Sequence, residues 1–354
     1  MSVVPIHSSQ DIPSLKRPVD VVEETQDVES TPEVEPPTKK AKMEWLPPSV
    51  TEMENPFIFK TSTYHSEIPQ EVLLNKSEPI VLGVDEAGRG PVLGPMVYGI
   101  AYGLESFSAK LQKEYGFADS KVLTEPKREE LFKQIEEPTH ELHKHIGWAT
   151  TTITARDISS GMLQSAGKGA YNLNEQAHDT TINLIKGVLA KNVQVAKIFV
   201  DTVGPPASYQ AKLSKIFPGI EVTVTKKADS LFPIVSAASV VAKVTRDKNI
   251  HFYNTTLETF KGKVLGSGYP ADPNTKKWFN GNVDPVFGWH FGFIRFSWGT
   301  AKDSLEKNGA VPVVYEDSVK KTGGYKDVFA MISNKNKDSK IRKDYFASDK
   351  VDLL

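Results

Sequence analysis

From about residue 77 to residue 255 the chain alternates short apolar runs with polar turns, and the period of each run sorts it into strand or helix. Residues 80–86, Ile80-Val81-Leu82-Gly83-Val84-Asp85-Glu86, are apolar, partly β-branched and closed by turn residues, which predicts a buried strand. Residues 95–103, 146–154, 197–201 and 219–225 predict four more. Glu175 to Ala190 carries Ala177, Ile182, Leu184, Ile185 and Val188 as the apolar positions of a helix. Ser208 to Phe217 predicts a second helix. Leu231 to Ile250 predicts a third, with Val235, Ala238, Val241 and Ala242 on one face. Three strands followed by alternating helix and strand predict a mixed α/β sheet.

Outside this stretch the pattern changes. Residues 1–50 hold eight prolines, many acids and few aromatics, the composition of a chain that cannot bury enough apolar surface to order itself. We expect a disordered leader over residues 1–75, a globular domain over 76–255 and a C-terminal part of it over 256–310. Residues 311–354 are lysine-rich with a Gly323-Gly324 break and read as an extension or interaction arm. The leader carries Lys16-Arg17 and Lys39-Lys40-Ala41-Lys42, the latter shaped like a nuclear-import signal, so a nuclear location is expected. Composition then removes several classes of function. With no cysteine in 354 residues, thiolate catalysis, disulfides and Cys-ligated zinc are excluded. No window is apolar for long enough to span a bilayer, and no signal peptide is visible, so no membrane partner is expected. The net charge of −1 is neutral on nucleic acid, which needs only a local basic face.

The candidate chemistry sits where apolar strands end in acids. Asp85 and Glu86 close the first strand, and a turn, Ala87-Gly88-Arg89-Gly90-Pro91, follows. Buried acids need a cation, and hard Mg²⁺ suits carboxylate oxygens; a solvated turn with an incidental acid pair is the plain alternative. Asp201 ends Ile198-Phe199-Val200 at another turn, where a cap or turn role is the plain reading. Asp229 follows Lys226-Lys227-Ala228 just before the third helix, where it could also serve as N-cap. Lys243 and Arg246 are i, i+3 neighbours expected on a polar face of that helix.

The string Asp85-Glu86-Ala87-Gly88-Arg89-Gly90-Pro91 resembles the signature of type 2 ribonucleases H. The continuation Val92-Leu93-Gly94-Pro95-Met96-Val97-Tyr98 resembles the eukaryotic catalytic subunit of a heterotrimer. The resemblance runs from about Ile80 to about Thr300, with four motifs in family order. It implies a ribonuclease H-like fold, a five-stranded mixed sheet flanked by helices with a helical C-terminal extension. It further implies that Asp85, Glu86, Asp201 and Asp229 hold two Mg²⁺ or Mn²⁺ ions, with Asp85 the best candidate to bridge them. Such a site would cleave RNA in RNA–DNA hybrids and 5′ of single ribonucleotides in duplex DNA, leaving 5′-phosphate and 3′-hydroxyl ends.

The resemblance also assigns substrate contacts. Gly88, Arg89 and Gly90 would read the ribose 2′-hydroxyl with backbone groups. Tyr269, in Leu265-Gly266-Ser267-Gly268-Tyr269-Pro270, would pack near the next sugar and sense an RNA–DNA junction. Lys121 in Asp119-Ser120-Lys121 and Asn172 in Tyr171-Asn172-Leu173-Asn174 would meet the sugar–phosphate backbone. Lys243 and Arg246 are further phosphate candidates, while Arg295 with Phe296-Ser297-Trp298 reads as structural packing. Two non-catalytic subunits, B and C, are the implied partners, and ribonucleotide removal and DNA replication the implied roles. Another nuclease of the same broad fold and an inactive hybrid-binding scaffold are the competing readings.

Overall fold

The computed structural model describes residues 44–310, apart from positions 55, 118–121, 165–169, 203, 259, 285–286 and 290–291. Six strands form one mixed sheet: β1 (Ser62–His65), β2 (Ile80–Ala87), β3 (Met96–Leu104), β4 (Gly147–Ile153), β5 (Val195–Asp201) and β6 (Glu221–Thr225), in the spatial order β1-β4-β3-β2-β5-β6. β1, β4, β3 and β2 pair antiparallel, while β5 and β6 run parallel to β2. Five of these strands are the ones the apolar runs predict. The sheet has six rather than five, because Ser62-Thr63-Tyr64-His65 adds an edge strand against β4. That run is too short and too polar to stand out by period.

The sheet is covered on both faces, so its strands read as continuous apolar runs. Ile80, Leu82 and Val84 of β2 face one core, with Ile182, Leu184, Ile185 and Val188 of helix Leu173–Ala190 and Leu213 of helix Pro206–Ile216. Val81 faces the other core, with Ala101, Trp148 and the central helix Pro233–Thr256. This alternation is the two-residue period of a strand. The central helix lies unusually close to the sheet. A Cβ on Gly83 would come within 2.5 Å of the Ile234 carbonyl oxygen, and one on Gly99 within 2.7 Å of that of Ala238. Only glycine leaves room there.

A third core, built on Leu93, Phe260, Trp278, Phe279, Trp289, Phe293 and Ile294, fills the C-terminal end beneath the glycine-rich turn after β2. Helices Pro273–Gly281 and Gly299–Lys307 belong to this end.

The expected leader ends too late. Trp45 to Asn75 are folded onto the domain rather than disordered. Trp45 packs edge-on against Phe132, Val50 is buried, the Ser49 and Thr245 hydroxyls hydrogen-bond at 3.0 Å, and Tyr253 donates to the Pro56 carbonyl at 2.8 Å. The prolines that suggested disorder include Pro48, which opens a short helix, Pro48–Thr51, where its missing N–H is no loss. The nuclear-import candidates at residues 16–17 and 39–42 and the tail 311–354 lie outside the described residues. Among the described residues no helix is long and apolar enough to cross a membrane.

We expect deletion of residues 1–43 to leave the thermal midpoint unchanged. Deletion of residues 1–53 should lower it by several degrees, since it strips Trp45 from Phe132 and Ser49 from the central helix. Thermal melts of the two truncated chains check this; equal midpoints would show that the segment contributes nothing to stability.

Candidate active site

Asp85 and Glu86 are adjacent on β2, which continues to Ala87, so their side chains leave opposite faces of the sheet. Asp85, 5 % exposed, shares the face of Gly83 and meets the central helix, where it hydrogen-bonds Ser239; its Oδ1 also accepts from the Glu86 N–H at 2.7 Å. Ser239 in turn accepts from Lys243 Nζ at 2.9 Å. Glu86 is half-buried on the other face, directly across from Tyr98 of β3 and beside Arg89.

Asp201 is the last residue of β5 and pairs with Thr225, and its Oδ1 accepts from the Ala228 N–H at 2.8 Å. Asp229 does not cap the long helix. It sits, buried, inside a separate helical turn, Ala228–Leu231, entered through Lys227 in the left-handed conformation (φ 58°), and the long helix starts only at Pro233. Asp229 thereby faces Asp201 closely enough to raise its pKa, behind the larger effect of burial.

The four acids therefore meet at one end of the sheet from three elements. Burial raises the pKa of Asp85, with Asp201 adding to the rise and Ser239 and Lys243 opposing it. Burial likewise raises Glu86, with Asp85 and Asp201 adding and Arg89 and Lys243 opposing. Among the described residues no three acids converge tightly enough to hold a cation as they stand. Asp85 and Asp201 each lend an oxygen to a backbone N–H. The donor set is all oxygen, so the residues fit hard divalent cations.

Beside the acids opens a cleft of about 570 Å³. Glu86, Gly88, Arg89, Gly90 and Tyr269 line one wall, and Lys243, Arg246 and the Glu125–Arg128 end of a helix line the other. Tyr269 is 45 % exposed and its ring lies against Gly90, where an added Cβ would stand 3.2 Å from the ring. Its loop is pinned by Asp272, which accepts from the Ser267 N–H at 2.6 Å and caps helix Pro273–Gly281. The loop's Gly268 carbonyl accepts from Val92 and Leu93, tying it to the glycine turn.

Two expectations change, and a third falls outside the described residues. Arg246 is not on a solvated polar face: it is 6 % exposed, wedged between Gly88 and the Ser267 carbonyl. Asn172 spends its side-chain oxygen on the N–H groups of Asn174 and Glu175 as the cap of helix Leu173–Ala190, and it is Asn174 that Arg89 donates to. Lys121 lies outside the described residues.

The part that sequence reading undervalued is Arg295. It is fully buried and donates from Nε to the Gly94 carbonyl at 3.1 Å, from Nη1 to that of Arg89 at 2.8 Å and from Nη2 to that of Gly88 at 2.5 Å. Trp298, over which its guanidinium stacks at 4.8 Å, donates to the Gly90 carbonyl at 3.0 Å. The available signal was an arginine inside an aromatic run with no acid near it in sequence. Ser239 gave none, since a serine within an apolar helix is ordinary.

The ribonuclease HII family model matches residues 82–301. The chain belongs to the ribonuclease HII family. It is 52 % identical over 268 residues, covering 76 % of this chain and 78 % of the relative, to the A subunit of ribonuclease H2 from Schizosaccharomyces pombe. The solved ribonuclease H2 from Pyrococcus horikoshii superposes with a TM-score of 0.52 at 30 % identity, over 65 % of this chain and 98 % of that one. A structure of Bst-RNase HIII in complex with Mn²⁺ shares the fold, with a TM-score of 0.51 at 19 % identity, over 65 % of this chain and 70 % of that one. The protein is thus a ribonuclease H-fold endoribonuclease. A ribonuclease HII family match along the whole domain disposes of the other nucleases of this broad fold.

Two outcomes are expected. In metal-free protein, Asp85→Asn should raise the thermal midpoint, because the raised pKa means that folding buries an unfavourable charge. The sign follows from linkage: the penalty is absent below the ordinary carboxylate pKa of about 4 and complete above the raised folded value. The gain should therefore be seen at pH about 9 and vanish at pH about 3.5, at roughly 2–4 °C per kcal/mol relieved. A gain equal at both pH values would refute a charge origin. Arg295→Lys should lower both the midpoint and cleavage, since an ammonium cannot span three carbonyls, and each one stranded costs about 1–3 kcal/mol.

Proposed function

We propose that this ribonuclease cuts the RNA strand of RNA–DNA hybrids and the bond 5′ of single ribonucleotides embedded in duplex DNA. The observation that carries the reading is the juxtaposition of four acids with a cleft walled by the Gly88–Gly90 turn and Tyr269. A 2′-hydroxyl is read at hydrogen-bonding range, and the turn brings bare backbone to the cleft edge beside the acids. Tyr269 stands next to it with a free ring face for the neighbouring sugar.

Asp85, Glu86, Asp201 and Asp229 would hold Mg²⁺ or Mn²⁺, two ions per site. When bound, such ions supply water activation and neutralise charge on the leaving 3′ oxygen. The chain's own residues do the rest. Ser239 and Lys243 fix the Asp85 carboxylate, the Ala228 N–H fixes Asp201, and the clamped turn presents the ribose. The products would carry 5′-phosphate and 3′-hydroxyl ends. No protein nucleophile is involved.

The fission-yeast relative is by name one of several subunits of its enzyme, which supports assembly of this chain with two non-catalytic partners, the B and C subunits. The substrate reading supports roles in ribonucleotide removal and DNA replication. Lys39-Lys40-Ala41-Lys42 supports a nuclear location. Deletion of residues 1–43 should reduce nuclear accumulation while leaving cleavage intact, and unchanged import of the deleted chain without partners would refute the signal.

Asp201→Asn should reduce cleavage at least about a hundredfold while hybrid binding survives, because affinity rests mainly on phosphate contacts. More than about a tenth of the rate retained, a barrier change under about 1.4 kcal/mol, would overturn the assignment. Tyr269→Ala should slow cleavage at a lone ribonucleotide by about ten- to a hundredfold, the range for loss of one aromatic contact of roughly 1–3 kcal/mol. Long hybrids, which offer many registers, should lose less. Equal losses on the two substrates in the same salt would make Tyr269 a packing residue.

A further inference from the structure

The glycine turn is held from below by Arg295 and Trp298 through the carbonyls of Gly88, Arg89, Gly90 and Gly94. Its one long side chain, that of Arg89, reaches away from these clamps. It passes beside Glu86 to Asn174, whose Oδ1 accepts from Nη2, and it shares a small cavity with Tyr98. Tyr98 is 6 % exposed and stands directly opposite Glu86 across the β2–β3 ladder. Asn174 lies in the first turn of helix Leu173–Ala190, whose start is fixed independently by the Asn172 cap. Arg89 therefore ends on an acceptor that belongs to a separate rigid element, a helix. Together with Glu86 and Asp201, these three residues line a small cavity behind the acids.

We propose that Asn174 is a positioning residue for cleavage, acting through Arg89 to fix the peptide planes of the Gly88–Gly90 turn and to hold a cation beside Glu86. The argument is mechanical. A turn with glycine on both sides of its only side chain has little intrinsic stiffness, and Gly88 sits at φ 77°. Arg295 and Trp298 hold its carbonyls from one direction only. The turn can still rock about that seat unless its far side is also held, and the Arg89 side chain is the part that crosses to the other face. A guanidinium offers several donors in a fixed fork, so an acceptor on a separate element limits its orientation as well as its place. Asn174 supplies the helix end of this tether. Its loss leaves Arg89 free to swing, and the turn with it. The effect belongs in the rate of the chemical step, where misplacement is penalised, more than in affinity, which rests on phosphate contacts.

This rests on the ribonuclease reading above, and the experiment separates the two. The full-length chain, in the assembly that gives cleavage with the unaltered sequence, is assayed on a duplex with one ribonucleotide. No cleavage by the unaltered enzyme under Mg²⁺ or Mn²⁺ would overturn the proposed function itself. With that enzyme active, Asn174→Ala should lower kcat about tenfold, with KM within about twofold and the thermal midpoint unchanged. Asn174→Asp, which keeps the acceptor, should restore most of the rate. Asn174→Ala added to Arg89→Ala should bring no further loss, because Asn174 acts only through Arg89. An unchanged kcat, a loss confined to KM, an Asp variant no better than the Ala variant, or full additivity with Arg89→Ala would each overturn the proposal. A kcat loss that tracks a lowered midpoint would overturn it as well, by making Asn174 a residue of the fold.

Discussion

The buried guanidinium of Arg295 is the interaction on which the site depends. A charge taken out of water is strongly disfavoured unless its donors are matched. Among the described residues no carboxylate meets it; backbone carbonyls of Gly88, Arg89 and Gly94 do. The arrangement serves both parties. The turn has glycines where a Cβ would strike Arg246 or Tyr269, and such a segment cannot hold its own shape. The guanidinium fork imposes one, and the three carbonyls would otherwise be stranded at the top of the third core.

That core explains why the C-terminal end belongs to the catalytic domain rather than trailing it. Leu93 and Ile294 form a bridge between the turn and the segment carrying Arg295, and Gly94 donates to the Phe293 carbonyl. The Tyr269 loop joins the same seam through Gly268. One wall of the cleft is thus a single hydrogen-bonded unit assembled from three distant stretches of chain. The opposite wall is the central helix, brought against the sheet by Gly83 and Gly99. The same closeness puts Ser239 and Lys243 on Asp85.

Acids gathered in this way work against folding. The upward shifts of Asp85 and Glu86 show that the domain carries charge it would shed if it could. Stability comes from the two cores on either side of the sheet, and the active end draws on it. This is the ordinary relation between a binding site and its scaffold: groups arranged for a ligand's charge repel one another without it.

Much of this was legible in the chain itself. Short apolar runs of strand period and longer runs of helical period fix five of six strands and the three main helices, because burial on both faces leaves no freedom in composition. The acids at the strand ends were visible for the same reason: a carboxylate after an apolar run has no innocent place to go. Other features were decided only by tertiary structure. β1 became a strand because β4 offered an edge, and Trp45 and Ser49 left the leader because Phe132 and the central helix offered partners. Arg246 was buried, Asn174 came to meet Arg89, and Asp229 left the helix cap through a left-handed Lys227. Local pattern records which residues prefer water and at what period. It does not record which distant carbonyl a guanidinium will find, and that pairing is what places the turn beside the acids.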